Sequence, residues 1–507
     1  MRRVPISGRP ACLILLIPCL FLAAGCTAEH GPPVSAAWPE PAMPDTPQGR
    51  QVAAYLEAFN SGNQAALASF IRQNATPVGP GGSDLDTRIR SAQSFYNATR
   101  GLNVLTVETP APAEVAIVAQ LRLTEQWRRM TFMFDDSSPP RLGGIRIEPV
   151  DPPAGPPKPT AQPLDITLDA YMVRQVAADQ FSGVVLVARR GEPVFAGAYG
   201  LADKDRNVPN RVETPFQYAS VGKMFTAVAI AQLADAGKLS FEKTVADYLP
   251  EFAEKSAGTV TLRQLLTHQS GILDFFEAKE KFGRVRGSDN PQRDYLQVFA
   301  EEPLRFSPGE RFEYSNSNFI LLGVIVERAS GLTFEKYLDE YIFAAAGMTA
   351  TSLDPKGRGE MTPAHGYTEL ADDEKMTPGT RRLINLAQSR GSAAGGGVTT
   401  AGDMLKFAEA LRTDRLLSAQ ATEQLLIDQV DGQRPGENYA MGFITRKNSR
   451  ERIVGHSGGF PGVDAQFDMY LGSGWTVVVL ANYEGVGEPV ARHIESLLAA
   501  AASAKPM

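Results

Sequence analysis

Cysteine is nearly absent from this chain of 507 residues. Its three cysteines, Cys12, Cys19 and Cys26, all fall within the first 26 positions. A disulfide framework or a cysteine-based metal site needs several cysteines in the folded part of a chain. Both are therefore excluded.

Histidine is also scarce, with five residues in the whole chain. None of them stands in a H-E-x-x-H or comparable ligand spacing, so we predict no metal. The glycine-rich segment GSAAGGGVTT, residues 391–400, lacks the Lys-Ser/Thr ending of a phosphate-binding loop, and no dinucleotide fingerprint is present. We therefore predict no cofactor, and we expect this segment to let the backbone pass close to a functional cleft.

Runs of basic residues are missing as well. The net charge is −7, and Lys and Arg form no cluster typical of a nucleic-acid footprint. We therefore expect no nucleic-acid partner. With 43% hydrophobic and 21% charged residues, the chain has an ordinary globular composition and is long enough for two or three domains.

The N-terminus carries a targeting pattern. Arg2, Arg3 and Arg9 precede the apolar stretch ACLILLIPCLFLAAG, which is too short for a comfortable membrane span. The stretch ends in LAAGC, which resembles a bacterial lipobox, in which the cysteine is lipidated and becomes the first mature residue. An ordinary secretory signal is the alternative, but it leaves Cys26 as one unpaired cysteine at the cleavage site. We therefore expect a lipoprotein of the bacterial cell envelope, anchored to a membrane through Cys26 and facing the periplasm or the exterior.

Proline-rich segments divide the rest of the chain. Residues 1–25 are the predicted signal peptide, and residues 26–48, rich in Pro and Ala, are a predicted disordered tether. Residues 149–163 contain seven prolines in fifteen positions, which predicts a semi-rigid linker. The linker separates a predicted domain at 49–148 from a larger one at 164–507.

The first of these domains is predicted to be α+β. Val52, Leu56 and Phe59 share one helical face, a second helix follows, and four strand-like segments come after residue 104. The stretch YLEAFNSGN resembles the nuclear transport factor 2 superfamily of cone-shaped domains. No convergent acid/base set is present, so we expect an accessory or substrate-positioning module.

The larger domain begins and ends with strands around a helical middle. FSGVVLVARRGEPVFAGAYG predicts a hairpin turning at Arg190-Gly191. Four strand-like segments between residues 438 and 482 precede a terminal helix at about 489–501. We predict an α/β fold with one sheet built from both ends of the domain and helices packed around it.

Three motifs in this domain are candidates for chemistry. Ser220 is predicted at a helix N-terminus with Lys223 one turn later, on the same face. Tyr314-Ser315-Asn316 is predicted on a loop just before a helix, and it offers a phenol for proton relay and an amide for holding a carbonyl. His456-Ser457-Gly458 is predicted on a strand, followed by Gly459, which leaves the strand edge open to substrate. Each motif alone has an ordinary structural explanation.

Together, in the order S-x-x-K, Y-x-N and H-x-G, the motifs resemble those of the serine β-lactamase and penicillin-binding superfamily. The similarity is to the class C β-lactamase, D-aminopeptidase and family VIII esterase branch, over roughly residues 165–500. Supporting stretches are VADYLPEF, TLRQLLTHQSGI and SPGERFEYSN. The resemblance implies an antiparallel sheet flanked by helices, a helical subdomain, and an active site between them.

The resemblance also implies roles for these residues. Ser220 would attack a carbonyl and form an acyl-enzyme. Lys223 and Tyr314 would share the general-base work, and Asn316 would position the substrate and Lys223. The N–H groups of Ser220 and Gly459 would form the oxyanion hole.

One residue departs from the β-lactamase pattern. His456 stands where such enzymes carry the Lys of a K-T-G motif, and a histidine is mostly neutral at pH 7. Recognition of a substrate carboxylate is therefore weakened. An esterase, or an amidase acting on D-residues, is favoured over β-lactam turnover, with His456, Gly458 and Gly459 binding the substrate.

The remaining motif histidines have mainly structural interpretations. His268, in LLTHQSG, is expected to cap or hydrogen-bond a helix end. For His365, in TPAHGY, an approach to the cleft on a loop is the less favoured alternative to a structural role.

Three functional hypotheses follow. The first is a lipid-anchored serine hydrolase of small esters, amides or peptides, and the second is a penicillin-binding or sensor protein that acylates without turnover. The third is a hydrolase built on Ser457, because GHSGG matches the G-x-S-x-G elbow. The third is disfavoured, since the glycines after Ser457 forbid the helix that an elbow requires.

Overall fold

The computed structural model describes residues 41–150, 163–358, 362–369, 381–384, 390–434 and 436–503. The predicted signal peptide, Cys26, most of the predicted tether and residues 151–162 of the predicted linker lie outside these ranges. From Pro41 onward the chain is one compact unit.

The helices in the described residues are α1 Pro47–Asn60, α2 Gln64–Asn74, α3 Leu85–Thr99, α4 Leu164–Ala177, α5 Lys223–Asp235, α6 Val245–Tyr248, α7 Leu262–Leu266, α8 Lys279–Val285, α9 Pro291–Phe299, α10 Asn316–Ser330, α11 Phe334–Leu338, α12 Ala344–Ala346, α13 Ala401–Arg412, α14 Ala419–Leu426 and α15 Gly487–Ser503. The strands are β1 Leu102–Ala111, β2 Glu114–Leu121, β3 Trp127–Phe134, β4 Leu142–Pro149, β5 Gly183–Arg189, β6 Glu192–Tyr199, β7 Leu201–Asp203, β8 Val208–Pro209, β9 Phe216–Gln217, β10 Gly366–Thr368, β11 Arg382–Ile384, β12 Val398–Thr399, β13 Val430–Asp431, β14 Glu437–Tyr439, β15 Ile444–Lys447, β16 Arg452–Phe460, β17 Val463–Tyr470 and β18 Trp475–Ala481. Among the described residues no single helix is long and apolar enough to cross a membrane, whereas the bent pair Asn316–Ser330 and Phe334–Ala346 meets those two criteria together.

Residues 41–150 form an α+β layer with its own hydrophobic core. The strands β1 to β4 form one antiparallel meander, as their alternating pattern predicts. Val52, Leu56 and Phe59 are buried against this sheet, so the predicted helical face is confirmed. Helix α3 was not predicted. The resemblance to a cone-shaped superfamily stays a prediction.

Eight of the remaining strands build an antiparallel sheet in the order β13-β14-β15-β16-β17-β18-β5-β6, and the other six form three two-stranded sheets, β7-β8, β9-β12 and β10-β11. Val185 of β5 lies opposite Val479 of β18, so the two ends of the domain meet in one sheet, as predicted. Arg190 and Gly191 both have positive φ, which is the signature of the tight turn predicted for the β5–β6 hairpin.

This sheet is buried on both faces. Leu186, Val454 and Val478 face the helical core that contains α5, α10 and α13. Val185 and Ile453, at alternate positions, pack instead against α4 and α15. The two cores fix the position of β16, which carries the third predicted motif.

The N-terminal layer packs directly on this second face. The loop after β2 reaches α4, where the Arg174 guanidinium donates to both carboxylate oxygens of Glu125 at 2.8 and 2.9 Å. His493 of α15 stacks on Tyr171 at 3.7 Å, and its Nδ1 lies 3.1 Å from the Thr124 carbonyl oxygen. The layer is therefore anchored to the larger domain by specific side chains.

A buried ion pair makes a second attachment. Arg100, at the end of α3, donates to Glu369 Oε2 at 3.0 Å, and the two side chains are 4% and 9% exposed. Arg381 also reaches Glu369, at 3.3 Å. Removing one partner of such a pair leaves a buried charge without full compensation.

We expect Arg100→Met to lower the free energy of unfolding by about 3 kcal/mol, because Glu369 then stays buried with only part of its charge compensated. The matched control is Arg174→Met at the same interface, where the arginine is half exposed and the loss should stay below about 1 kcal/mol. Urea unfolding measures both. Equal losses in the two variants would contradict the buried attachment.

Candidate active site

Ser220 lies in a short 3₁₀ turn, Ala219–Gly222, that leads directly into α5. The strand β9 delivers the chain to this turn by pairing with β12. Ala219 has φ of +43°, a left-handed conformation that costs a non-glycine residue about 1–2 kcal/mol. Such strain persists only where the surrounding structure holds it, and here it places the Ser220 side chain at the start of α5.

The Lys223 amine lies one turn further, fully buried, and touches three oxygens. Its Nζ is 3.1 Å from Ser220 Oγ, 2.7 Å from Asn316 Oδ1 and 2.5 Å from the Ala394 carbonyl oxygen. Burial lowers the pKa of Lys223 to about 7, against the nearby charge of Asp274, which raises it. About half of the amine is therefore neutral at pH 7, and most of it is neutral above that pH.

The contacts of the neutral amine decide where its lone pair points. A neutral lysine has two N–H bonds and one lone pair. The Asn316 and Ala394 oxygens only accept, so they take the two N–H bonds. The lone pair then faces the Ser220 hydroxyl, which donates its proton to Nζ. This is the arrangement that a general base requires.

Tyr314 stands on the other side of Ser220. Its ring centroid lies 4.9 Å from Lys223 Nζ, and its phenol is hydrogen-bonded to Ser220. Burial raises the pKa of Tyr314 above its ordinary value, and the hydrogen bond to Ser220 lowers it by less. The phenol therefore keeps its proton near neutral pH and serves as a donor to an incoming oxygen or nitrogen.

Asn316, the first residue of α10, is held by a carboxylate that sequence reasoning missed. Asp274 Oδ2 accepts from the Asn316 side-chain amide at 2.7 Å and from its backbone N–H at 2.9 Å. The amide nitrogen thus faces Asp274, and Oδ1 faces Lys223. Asp274 lies in an unremarkable stretch, GILDFF, and no signal in the sequence singled it out.

The glycine-rich segment passes directly behind Ser220, as predicted. A Cβ on Gly395 would lie 2.3 Å from the Ala219 carbonyl oxygen, and one on Gly397 would lie 2.6 Å from the Tyr218 hydroxyl. Only glycine permits this approach, which delivers the Ala394 carbonyl to Lys223.

Strand β16 closes the site from the sheet side. His456 and Gly458 share the strand face of Val454 and point towards the helical core, and a Cβ on Gly458 would lie 2.8 Å from Ser220 N. A Cβ on Gly459 would meet nothing within 4 Å, so this residue borders open space. The backbone of β16 thus runs beside Ser220, with Gly459 at the cleft.

Ser457 lies on the opposite face of β16. It shares that face with Ile453, which packs towards α15, and it stands opposite Gln466 of β17. It borders both the cleft and a small cavity between the sheet and α15. The Ser220–Lys223–Tyr314 group is formed without it.

The cleft has a volume of about 190 Å³. Ser220, Tyr314, His456 and Gly459 line it, so four predicted site residues meet there. Its outer wall also includes Arg434 and other mostly polar residues: Gln433, Glu437, Asn438 and Tyr439. His365, for which a structural role was favoured over one at the cleft, lies 3.8 Å from Asp203 and is absent from the lining found among the described residues. Nor do the described residues group three His, Cys, Asp or Glu as a metal site.

Comparison with known proteins identifies the family of this chain. The beta-lactamase family model matches residues 168–502. The chain belongs to the beta-lactamase family. A penicillin-binding protein of Bacillus halodurans, a member of known structure, is 32% identical with a TM-score of 0.57, and the match covers 64% of this chain and 99% of that one. A penicillin-binding protein of Bacillus subtilis (strain 168) is 29% identical over 321 residues, 60% of this chain and 69% of the relative.

A further solved structure shares the beta-lactamase fold at lower identity. It is the D-amino acid amidase of Ochrobactrum anthropi SV3, which is 23% identical with a TM-score of 0.56. The match covers 67% of this chain and 100% of the amidase. At this identity the likeness concerns the fold alone.

The pH dependence of activity tests the Asp274 contact. We expect kcat/KM to rise with pH through about 7, because only the neutral Lys223 amine accepts a proton. Asp274 raises the pKa of Lys223, so Asp274→Asn removes that charge and moves the rising limb to lower pH. It also loosens Asn316, and kcat should fall about tenfold.

The control for this measurement is Asp235→Asn, an exposed carboxylate at the far end of α5. Its profile should overlay that of the wild type. If the rising limb of the kcat/KM profile lies at the same pH in Asp274→Asn as in the wild type, the electrostatic link between Asp274 and Lys223 is contradicted.

Proposed function

We propose that this protein is a serine hydrolase that cleaves a small ester or amide through an acyl-enzyme on Ser220. The observation that carries the proposal is the Lys223 amine, 3.1 Å from Ser220 Oγ with both of its N–H bonds occupied by acceptors. A buried amine with a pKa of about 7, next to a hydroxyl in a cleft, is typical of a catalytic base.

The reaction proceeds in two halves. Lys223 takes the Ser220 proton as Oγ attacks the substrate carbonyl, and the N–H groups of Ser220 and Gly459 stabilise the oxyanion. The proton then passes, through Tyr314, to the leaving oxygen or nitrogen as its bond to the acyl carbon breaks. In the second half, water attacks the acyl carbon and gives its proton to Lys223, and Lys223 returns this proton to Ser220 Oγ as the C–Oγ bond breaks and the acid is released.

The substrate class follows from the charge on the sheet side of the cleft. Burial, together with the charge of Lys223, lowers the pKa of His456 to about 3, so His456 is neutral at working pH. The part of β16 that lines the cleft therefore offers no cation to a substrate carboxylate, and Arg434 in the cleft wall is already paired with Glu488. We therefore propose neutral esters, or amides and peptides of D-residues, as better substrates than β-lactams.

A panel of three substrates tests the proposal: a short-chain p-nitrophenyl ester, nitrocefin and a D-alanyl peptide. We expect steady-state turnover of the ester or the peptide, and slower turnover of nitrocefin. The Ser220→Ala variant should turn over none of the three substrates. Turnover that survives in Ser220→Ala would sink the proposal.

A second function is kept because the named relatives at 29% and 32% identity are penicillin-binding proteins. In that case Ser220 is acylated once and stays blocked. The discriminating measurement is product released per labelled site. A burst of one equivalent without further release favours the binder, and many turnovers favour the hydrolase.

The proposal extends to location and to the N-terminal layer. The LAAGC pattern supports a lipid anchor on Cys26, with the protein facing the periplasm or the exterior. Cys26→Ser should then abolish incorporation of labelled fatty acid, and retained labelling would contradict the anchor. The layer formed by residues 41–150 is proposed to be a non-catalytic accessory module.

A further inference from the structure

A line of side chains connects the Tyr314 loop to β16. The Ser315 backbone N–H lies 3.1 Å from His268 Nδ1, and His268 Nε2 lies 3.2 Å from the Tyr439 hydroxyl. The same hydroxyl lies 3.0 Å from His456 Nε2, and His456 Nδ1 lies 2.5 Å from the Ser457 carbonyl oxygen. Four hydrogen bonds thus run without a break between two of the three catalytic motifs.

The groups at the two ends of this line determine which partner donates and which accepts in each of the four hydrogen bonds. The Ser315 N–H only donates, so His268 Nδ1 accepts and His268 Nε2 carries the proton. The Ser457 carbonyl only accepts, so His456 Nδ1 carries the proton and Nε2 accepts. Tyr439 therefore receives a bond from His268 and donates its own proton to His456. No other arrangement of the neutral groups satisfies all four contacts.

The line is almost inaccessible to solvent, although Tyr439 and His456 border the cleft. His268, Tyr439 and His456 are each at most 2% exposed, and the His268 ring lies 4.2 Å from that of Tyr314. Burial and the Lys223 charge lower the pKa of both histidines, so the line is neutral. An unpaired nitrogen at this depth would lose its hydrogen bond to water without a replacement.

We propose that His268 and Tyr439 are positioning residues that hold His456 in its Nδ1–H tautomer and keep the Tyr314 loop in register with β16. Both nitrogens of His456 are then occupied, and this residue gives the cleft a neutral wall without hydrogen-bonding the substrate. The kinetic consequence rests on the proposed function, whereas the tautomers do not.

The kinetic experiment is Tyr439→Phe, which removes only the hydroxyl. It leaves His268 Nε2–H and His456 Nε2 without partners, and we expect kcat for a neutral ester to fall by ten- to a hundredfold. KM should change less than threefold, because Tyr439 and His456 make their hydrogen bonds within the line rather than to the substrate. The matched control is Tyr337→Phe, a buried tyrosine of α11 whose hydroxyl donates to Gln232, and its kcat should match that of the wild type.

A double-mutant cycle separates positioning from a general loss of packing. If Tyr439 acts through His456, adding Tyr439→Phe to His456→Gln should cost less than about twofold in kcat. Multiplicative losses in the double variant would overturn the proposal.

The tautomers are read directly in the wild-type protein by ¹⁵N-histidine NMR, which needs no turnover. The chain has only five histidines, so single His→Gln variants assign the signals. We expect His268 as Nε2–H and His456 as Nδ1–H at pH 7. Either histidine in the opposite tautomer, or charged at pH 7, would overturn the proposal even if the protein is an active hydrolase. The expected tautomers in a protein without hydrolase activity would support the line while refuting the proposed function.

Discussion

Ser220→Ala is expected to lower kcat for an ester substrate by at least about four orders of magnitude, the loss typical of removing a nucleophile that works as a unit with its base. Without Oγ, no acyl-enzyme forms, and Lys223 has no hydroxyl to deprotonate. The remaining N–H groups of the oxyanion hole support only slow attack by water. Steady-state kinetics with a p-nitrophenyl ester measures the loss.

Ser457→Ala is the comparison for this variant, because Ser457 lies in the motif that mimics a nucleophile elbow. Its side chain shares a strand face with Ile453, and the Ser220–Lys223 contact does not involve it. We expect a loss of no more than about tenfold. A larger loss than in Ser220→Ala would reverse the assignment.

Lys223→Met is expected to lower kcat/KM by about three orders of magnitude, since it removes the base while keeping a side chain of similar length. The rising limb near pH 7 should disappear, because the group that titrates there is gone. Lys243→Met, which changes an exposed lysine of a surface ion pair, is the control and should keep both rate and profile.

The same variant makes a prediction for stability. The folded-state pKa of Lys223 lies near 7, below its ordinary value of 10.5. The unfolded chain therefore binds more protons between these two pH values, and wild-type stability gains from this group as pH rises from about 7. The unfolding free energy of Lys223→Met relative to the wild type should thus be highest near pH 6. It should fall by a few kcal/mol towards pH 10. A difference independent of pH would contradict the buried, neutral amine.

Local pattern was enough to predict the Ser220–Lys223 contact. An apolar helical face from Met224 onward and the stop at Gly237 place the two residues one turn apart, and the structure has the helix at Lys223–Asp235. The single sheet built from both ends of the domain was likewise predictable. Five of its eight strands have seven to nine residues, and β5 and β18 are rich in β-branched residues.

Contacts between distant segments were not predictable in this way. Asp274 and Tyr439 reach the site only because the fold brings them to Asn316 and His456, which lie 42 and 17 positions away. His268 was expected to hydrogen-bond a helix end, and its Nδ1 accepts from the Ser315 N–H at the start of α10. Its own segment, LLTHQSG, does not indicate that α10 is the helix it reaches. Such partners follow from tertiary structure rather than from periodicity.

The attachment of the N-terminal layer was also beyond the sequence pattern. Glu125 and Arg100 look like ordinary surface charges in the chain, and only the folded structure pairs them with Arg174 and Glu369. The Pro-rich segment at 149–163 predicted a spacer between two domains. In the structure, the loop that contains Thr124 and Glu125, before this segment, contacts α4 and α15, which follow it, directly.

The central claim is that Ser220 is the residue that becomes acylated. The direct measurement is labelling of the intact protein with a fluorophosphonate probe, followed by mass spectrometry of its peptides. We expect one probe mass on the peptide that contains Ser220, lost in Ser220→Ala and suppressed below about pH 7 as Lys223 becomes charged. Label on the peptide that contains Ser457, with none on Ser220, would contradict it.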